Sequence, residues 1–496
     1  MQDVILADIP NALERLWEFL ARPIADTAWA DWRGFWLEQV FDDRFVVCYF
    51  LLLLPILLAC SRRNLRTGIV LTGLAFLIYV FGAFYAALWL VMCVVFHRVS
   101  ERFAIEARRT DVIRWGPPLA AIAIIGGWYV VTLQLAKLHL PGALDAWLFE
   151  HVPWIYPLGA RDWSWEPFFF GQHFSYQRGE AVPLVFAVFW NPHNIGVAYF
   201  TVRMLHYFSE LKKETIPRER RSLLDFLAYL CYAPNLIQGP IERYGRFYDE
   251  IDTCHERRSW GNLAPGLARI GWGLLKCLLS LWYFTPFVES EIASQHYFKH
   301  PEEIESYALL YFGIYIHIFW LYLEFSGYCD VSAGIARLLG YRQVENFRWC
   351  WLATSLRDFW RRWHISLSFL VRDYIYIPLG GNRRHVVLNL VVTFLLVGIW
   401  HALMLQLAIW GIVMGLMLAV NQRWARWMKK LEAAPAGRLP ALRRALARLR
   451  PLPQILSWAI TMHFFVHSLL IFFGGGGAVR VTWELIRRPL AALGIF

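Results

Sequence analysis

The chain reads as a series of long apolar runs separated by short polar stretches. A helix that crosses a bilayer needs about 17–25 mostly apolar residues. Runs of that kind lie at 45–61, 68–96, 117–138, 181–208, 222–240, 264–288, 305–326, 386–420 and 454–473. The run 386–420 is too long for one span and divides into two helices near Trp400–Ala402, while 68–96 is long enough to tilt or split. Shorter runs at 328–340, 364–379 and 476–496 suit half-helices or re-entrant pieces. No segment alternates apolar and polar residues as an outer-membrane strand does, and there is no visible internal repeat. The pattern predicts an all-α, polytopic integral membrane protein with about 11–13 membrane-embedded helices, re-entrant or half helices among them.

Composition agrees and narrows the class. Hydrophobic residues make up 58% of the 496, charged residues 18%, and the mean hydropathy is +0.39. A soluble domain is about 45–50% apolar and about 25% charged. The 26 Trp, 22 Tyr and 36 Phe fit a protein with many side chains at a membrane–water boundary. A soluble enzyme, a disordered chain and a small disulfide scaffold are excluded. No two of the eight cysteines stand at C-x-x-C spacing and most lie in apolar stretches, which reads as small buried hydrophobes.

The net charge of +11 is concentrated rather than spread. Basic stretches at Arg62–Arg66, Lys212–Arg221, Arg383–Arg384 and 423–450 mark the cytoplasmic face. The last holds nine Lys/Arg against Glu432 alone, as a solvated loop on anionic lipid would. A nucleic-acid partner is not needed to explain this charge. An acid-rich arm over 1–44 and an aromatic stretch over 139–180, with Trp147, Trp154, Trp163, Trp165 and Phe168–Phe170, read as extracytoplasmic. The arm lacks a basic leader, so no cleavable signal peptide is expected, and the run from Phe45 reads as an uncleaved anchor. The organisation is then a 1–44 arm, N-terminal transmembrane helices over 45–138, a surface insertion over 139–180, a core over 181–420, a basic cytoplasmic segment over 421–453, and C-terminal transmembrane helices over 454–496.

Charged groups inside apolar sequence are costly and mark function by default. The densest case is 355–384, SLRDFWRRWHISLSFLVRDYIYIPLGGNRR. On one helix, Arg357, Arg361 and His364 fall at i, i+4 and i+7, on a shared face. Two readings stand. The face binds a phosphorylated donor, for which Arg is well suited, or the helix is an interfacial anchor whose Arg side chains snorkel. His401 lies alone in the apolar run LLVGIWHALML. A lone His in a core is commonly structural, yet a dry site would keep it neutral and able to act as a base. His463 and His467 have metal-ligand spacing but no nearby carboxylate, so no metal site is assigned. The chain has no G-x-S-x-G elbow, P-loop, H-E-x-x-H or G-x-G-x-x-G, and Gly474–Gly477 lacks the strand a phosphate loop requires.

The segment Phe359–Arg384 resembles the signature of the membrane-bound O-acyltransferase (MBOAT) family, closest to its bacterial branch of alginate O-acetylases and teichoic-acid D-alanylation acyltransferases. Three more stretches follow that branch in order: YAPNLIQGPIERYGRF (Tyr232–Phe247), YLEFSGYCDVSAGIARLLGYRQVENF (Tyr322–Phe347) and GIWHALMLQLAIWG (Gly398–Gly411), with a weaker match at Ile195–Phe208. The resemblance implies an MBOAT fold with a central tunnel. His401 matches the invariant family histidine and His364 the second signature histidine, so both are catalytic candidates. Ala402 stands where the branch commonly has Gly, and the first 190 residues show no match. Arg357, Arg361, Arg362, Arg372 and Asn382 become donor-binding candidates. Glu324, Trp360, Trp363, Asp373, Tyr376 and Trp400 become tunnel-lining candidates. For Asp373 the alternative is a structural ion pair with Arg372, and for Glu324 an internal hydrogen-bonded acid.

The implied activity moves an acyl group, acetyl foremost, from a cytoplasmic thioester donor to a hydroxyl of an extracytoplasmic polysaccharide or cell-envelope acceptor, directly or through a partner transferase. The donor is acetyl-CoA or an acyl-carrier thioester acting as substrate, with no bound cofactor and no metal. The expected location is the cytoplasmic (inner) membrane. Alternatives are D-alanyl transfer from a carrier protein, O-acylation of a lipid or protein, a non-catalytic transporter, and a scaffold for a separate transferase.

Overall fold

A computed structural model describes residues 54–81, 83–106, 168–169, 172–173, 195–236, 239–280, 300–401, 405–433, 452–474 and 477–493. The expected 1–44 arm, the run 117–138, most of the 139–180 insertion and the stretch 434–451 lie outside these residues. The described elements are helical except for one antiparallel pair, β1 (Phe168–Phe169) and β2 (Gln172–His173), in register Phe168 to His173. The helices are α1 (Leu54–Ala59), α2 (Leu65–Phe81), α3 (Ala83–Glu106), α4 (Ile195–Lys212), α5 (Leu223–Cys231), α6 (Tyr244–Arg257) and α7 (Trp260–Leu279). They continue as α8 (Tyr307–Leu338), α9 (Leu356–Phe359), α10 (Ile365–Val371), α11 (Val386–His401), α12 (Leu405–Ala433), α13 (Leu452–Gly474) and α14 (Gly477–Ala492). Among the described residues, Leu405–Lys430 and Gln454–Phe473 are long and apolar enough to cross a membrane, and Leu65–Ile78 and Val386–His401 are shorter apolar helices.

Two expected elements come out differently. The run 222–240 is not one span: α5 has nine residues, and Tyr232 turns extended before Pro234, which lacks an N–H to continue the ladder. At 1.5 Å per residue such a helix is about 14 Å long, half of a bilayer core of about 30 Å. The run 328–340 is no separate half-helix but the last turns of the 32-residue α8, since no Pro interrupts 307–338. What stops α8 is Gly340, at φ +77. Gly340 N–H donates to Arg337 O at 3.0 Å and Tyr341 N–H to Ala336 O at 2.8 Å, the paired bonds of a glycine-terminated helix.

The chain divides into two compact units. One spans 31–270 and 331–344. Its core is aromatic: Tyr207, Phe226, Tyr229, Tyr244 and Phe247 are fully buried, with Tyr207 4.6 Å from Phe226 and 4.8 Å from Tyr244 between ring centroids. Helices α2 and α5 approach closely because Gly73 has no Cβ; one there would lie 2.1 Å from Cys231 O. Polar clamps close the unit, with Arg66 donating to Asp252 at 2.9 Å and Tyr341 to the buried Glu242 at 3.0 Å.

The other unit spans 271–330 and 345–496. Its central feature is the antiparallel pair α11 and α12, joined across the break at 402–404. Small residues let the two backbones touch: a Cβ on Gly398 would meet Leu407 O at 2.1 Å, and one on Gly411 would meet Phe394 O at 2.3 Å. Helix α13 packs on α12, where Trp410 donates to Ser468 Oγ at 3.3 Å. Lys276 on α7 pairs with Asp330 on α8 at 2.6 Å. Helix α14 is tied by Arg488, which donates to the carbonyls of Pro301 and Glu302 at 3.0 and 3.1 Å.

Candidate active site

Residues 355–384 do not form the continuous helix that would align Arg357, Arg361 and His364. Ser355 caps α9, its Oγ accepting from Asp358 N–H at 3.1 Å, but α9 ends after four residues. Two long-range backbone bonds then take the chain out of the helical path. Arg348 N–H donates to Arg362 O and Ile365 N–H to Asn346 O, both at 2.9 Å. His364 sits between them in the left-handed region at φ +44, a conformation few non-glycine residues adopt. Helix α10 starts after it, followed by a wide turn over Arg372–Tyr376 and a loop in which Gly380 and Gly381 take φ +112 and +54. Asn389 ties that loop to α11, donating to Gly381 O at 3.0 Å and Arg384 O at 2.7 Å.

These elements enclose a cavity of about 380 Å³. Its polar lining includes Arg357, Arg361, Arg372, Tyr376, Asn382 and Gln422. Tyr376 and Gln422 both donate to Asn382 Oδ1, at 2.8 and 3.0 Å. Its apolar lining includes Trp360, Leu367, Val371 and Leu418, and along α11 Leu390, Phe394 and Val397. Those last three fall on one face of α11, and the next residue on that face is His401. The cations differ in what holds them. Arg372 is held by Asp373 at 2.6 and 3.0 Å and Arg362 by Asp358 at 2.9 Å. Among the described residues, Arg357 and Arg361 have no carboxylate partner.

His364 is buried and His401 exposed. His364 Nδ1 is 3.2 Å from Asn346 Oδ1, and Phe325 stands edge-on to its ring at 4.9 Å. His401 is the last residue of α11, and the rings of Trp400, Phe472 and Trp410 lie 4.8, 5.1 and 6.3 Å away. Its walls are aromatic, and its place at the helix terminus leaves the side chain open to the chain's surroundings. The Trp400 ring neighbours both imidazoles, 6.4 Å from His364 and 4.8 Å from His401.

The sequence candidates sort clearly. Arg357, Arg361, Arg372 and Asn382 of the donor set line the cavity, as do Trp360 and Tyr376 of the tunnel set. Arg362 and Asp373 do not; they serve in ion pairs. Trp363 is buried against Phe347, Phe465 and Phe359 at 5.1, 5.5 and 5.6 Å. Trp400 belongs with the histidines, and Glu324 is half-buried on α8 outside the cavity lining. His463 Nδ1 pairs with the Tyr311 hydroxyl at 2.9 Å, and His467 Nδ1 donates to His463 O at 2.9 Å. Sequence reasoning missed Asn346 and Gln422. The available signal for Asn346 was a neutral amide inside the quoted stretch ending in VENF, one of many such residues.

The profile of MBOAT, the membrane-bound O-acyltransferase family, matches residues 172–450, more than half of the chain. A probable alginate O-acetylase of Pseudomonas aeruginosa is 33% identical over 296 residues, covering 59% of this chain and 50% of that protein. A peptidoglycan O-acetyltransferase of Helicobacter pylori is 28% identical over 56% of this chain and 53% of its own length. A teichoic acid D-alanyltransferase of Bacillus subtilis is 27% identical over 57% of this chain and 70% of its own length. The chain spans about half the length of the alginate O-acetylases it matches. The match over residues 172–450 makes this chain a member of the membrane-bound O-acyltransferase family.

Proposed function

We propose that the protein is a multi-pass enzyme of the cytoplasmic membrane that moves an acyl group, acetyl foremost, from a cytoplasmic thioester donor to a hydroxyl of an extracytoplasmic cell-envelope polysaccharide. The observation that carries this is the face of α11 that runs from the cavity wall to His401. Arg357 and Arg361, cations without carboxylate partners among the described residues, suit the phosphates of coenzyme A or of a carrier-bound pantetheine arm. A cavity of about 380 Å³ is at the small end of ligand sites. It suits the acyl-bearing arm better than a whole nucleotide.

In this reading the hydroxyl oxygen attacks the thioester carbonyl. The new ester C–O bond forms, the C–S bond breaks, His401 takes the hydroxyl proton, and the departing sulfur receives a proton in turn. His364 orients the reacting groups. An accessible His401 suits a site reached by donor and acceptor from opposite sides, through a tunnel that spares the donor from crossing the membrane. Acceptor recognition, with any extracytoplasmic transferase partner, falls to regions such as 139–180. The relatives named for alginate, peptidoglycan and teichoic acid support a polymer acceptor; D-alanyl transfer is the second reading, raised by the last of them.

The test is His401→Ala in cells carrying the chain, with the base-labile acyl groups of envelope polysaccharide identified by mass spectrometry. Loss of ester-linked acetate at unchanged membrane abundance supports the proposal. Loss of D-alanine instead selects the second reading, and full acylation in the variant overturns both.

A further inference from the structure

We infer that Asn346 is a positioning residue that fixes the tautomer of His364, making Nε2 a hydrogen-bond acceptor for the hydroxyl that becomes acylated. The inference rests on the acyl-transfer reading for its functional half, and on geometry alone for its structural half.

The tautomer of His364 is set by which atom of the Asn346 amide faces it. Side-chain amides are ambiguous by themselves, because their oxygen and nitrogen look alike. Here a backbone N–H decides. Ser366 N–H, which can only donate, points at the same Asn346 atom from 3.2 Å, so that atom is the oxygen. The Ser366 hydroxyl donates to it as well, at 2.9 Å. The other amide atom, Nδ2, donates to Cys329 Sγ at 3.4 Å, which agrees with this orientation. An amide oxygen cannot donate, so the 3.2 Å contact with His364 requires the proton on Nδ1. In neutral imidazole the lone pair is then on Nε2.

Asn346 also holds the backbone that aims the ring. Its carbonyl accepts Ile365 N–H at 2.9 Å, directly after the left-handed His364. A residue in a rarely adopted backbone conformation persists only where its surroundings over-determine it. Asn346 binds the turn at His364, Ile365 and Ser366, and is itself buried. The consequence for mechanism is specific. Neutral His364 cannot donate from Nε2 to a developing oxyanion. It accepts from the acceptor hydroxyl, orienting that oxygen toward the thioester while His401 takes the proton.

The structural half is tested without substrate. The full-length protein carries ¹⁵N-histidine in lipid nanodiscs, and the His364 signals are assigned by their loss in His364→Gln. The expected result is Nδ1–H with bare Nε2 in the wild type and in Asn346→Asp, which keeps the acceptor oxygen. Asn346→Ala is expected to show mixed tautomers. A wild-type Nε2–H form, or an unchanged tautomer in Asn346→Ala, overturns the inference and leaves the acyl-transfer reading untouched. The functional half uses ester-linked acetate of envelope polysaccharide, normalised to membrane abundance. Asn346→Ala is expected to lose about 10-fold or more, within the range of one proton-handling group, and Asn346→Asp to recover most of it. Equal loss in both variants with the tautomer kept in Asn346→Asp reduces Asn346 to a structural residue and sinks the positioning role. A wild type without acyl esters fails the parent reading instead.

Discussion

Substituting Ala for Gly411 tests whether the contact between α11 and α12 sets the site. A Cβ at Gly411 would lie 2.3 Å from Phe394 O, 2.8 Å from Phe394 C and 2.9 Å from Leu395 Cα. All three are backbone atoms, so no side chain can rotate away. Carbon–oxygen contacts settle near 3.3 Å, so the helices must part by about 1 Å. Overpacking of this kind costs about 1–3 kcal/mol, and a rigid backbone contact belongs toward the upper end. The residue struck, Phe394, lines the cavity and shares a helix face with Val397 and His401. Activity should therefore fall further than stability, since a 1 Å misplacement of reacting groups costs about 10²-fold. Gly271→Ala is the matched control: it is exposed on α7 with nothing within 4 Å of the added Cβ. There the helix gains about 1 kcal/mol from the change. The assay is the heating midpoint of the monodisperse protein in detergent, beside ester-linked acetate in cells. A Gly411→Ala protein as stable and as active as wild type would refute the reasoning, as would a loss of the same size in Gly271→Ala.

Two further outcomes follow from charge. Arg357→Ala and Arg361→Ala should each raise the KM for the thioester donor about 10-fold, the loss of one charge-assisted contact, with kcat little changed; donor-concentration series in vesicles check this, and a pure kcat effect contradicts a donor-binding role. Lys276→Met should destabilise the protein by about 3–5 kcal/mol because it removes the cation that stands 2.6 Å from the buried Asp330 carboxylate. The double variant Lys276→Met with Asp330→Leu should recover most of that loss, and heating midpoints of the single and double variants measure the difference.

How much of this was legible in the chain depends on the range of the forces involved. Apolar runs announce helices because burial constrains composition residue by residue, and a run as long as 386–420 had to break; α11 ends at His401 and α12 begins at Leu405. The turn at His364 was hidden because bonds from Asn346 and Arg348, 14 to 19 residues back, override local helical spacing. Spacing arguments assume the helix they use, and here that helix ends at Phe359, before Arg361 and His364. The cations were visible because charge in apolar sequence is costly, but their roles depended on partners. One carboxylate, Asp358, stands among Arg357, Arg361 and Arg362 in the sequence. Which Arg takes it is decided by the end of α9: the turn brings Arg362 Nε to Asp358 at 2.9 Å and leaves Arg357 and Arg361 on the cavity. Neutral groups such as Asn346 and Gln422 carry no comparable signal, because an amide in sequence costs little until its neighbours bury it. The same neutrality lets Asn346 act as a clamp: it offers an acceptor without adding charge beside two histidines, so it orders the ring while leaving its basicity to the surroundings.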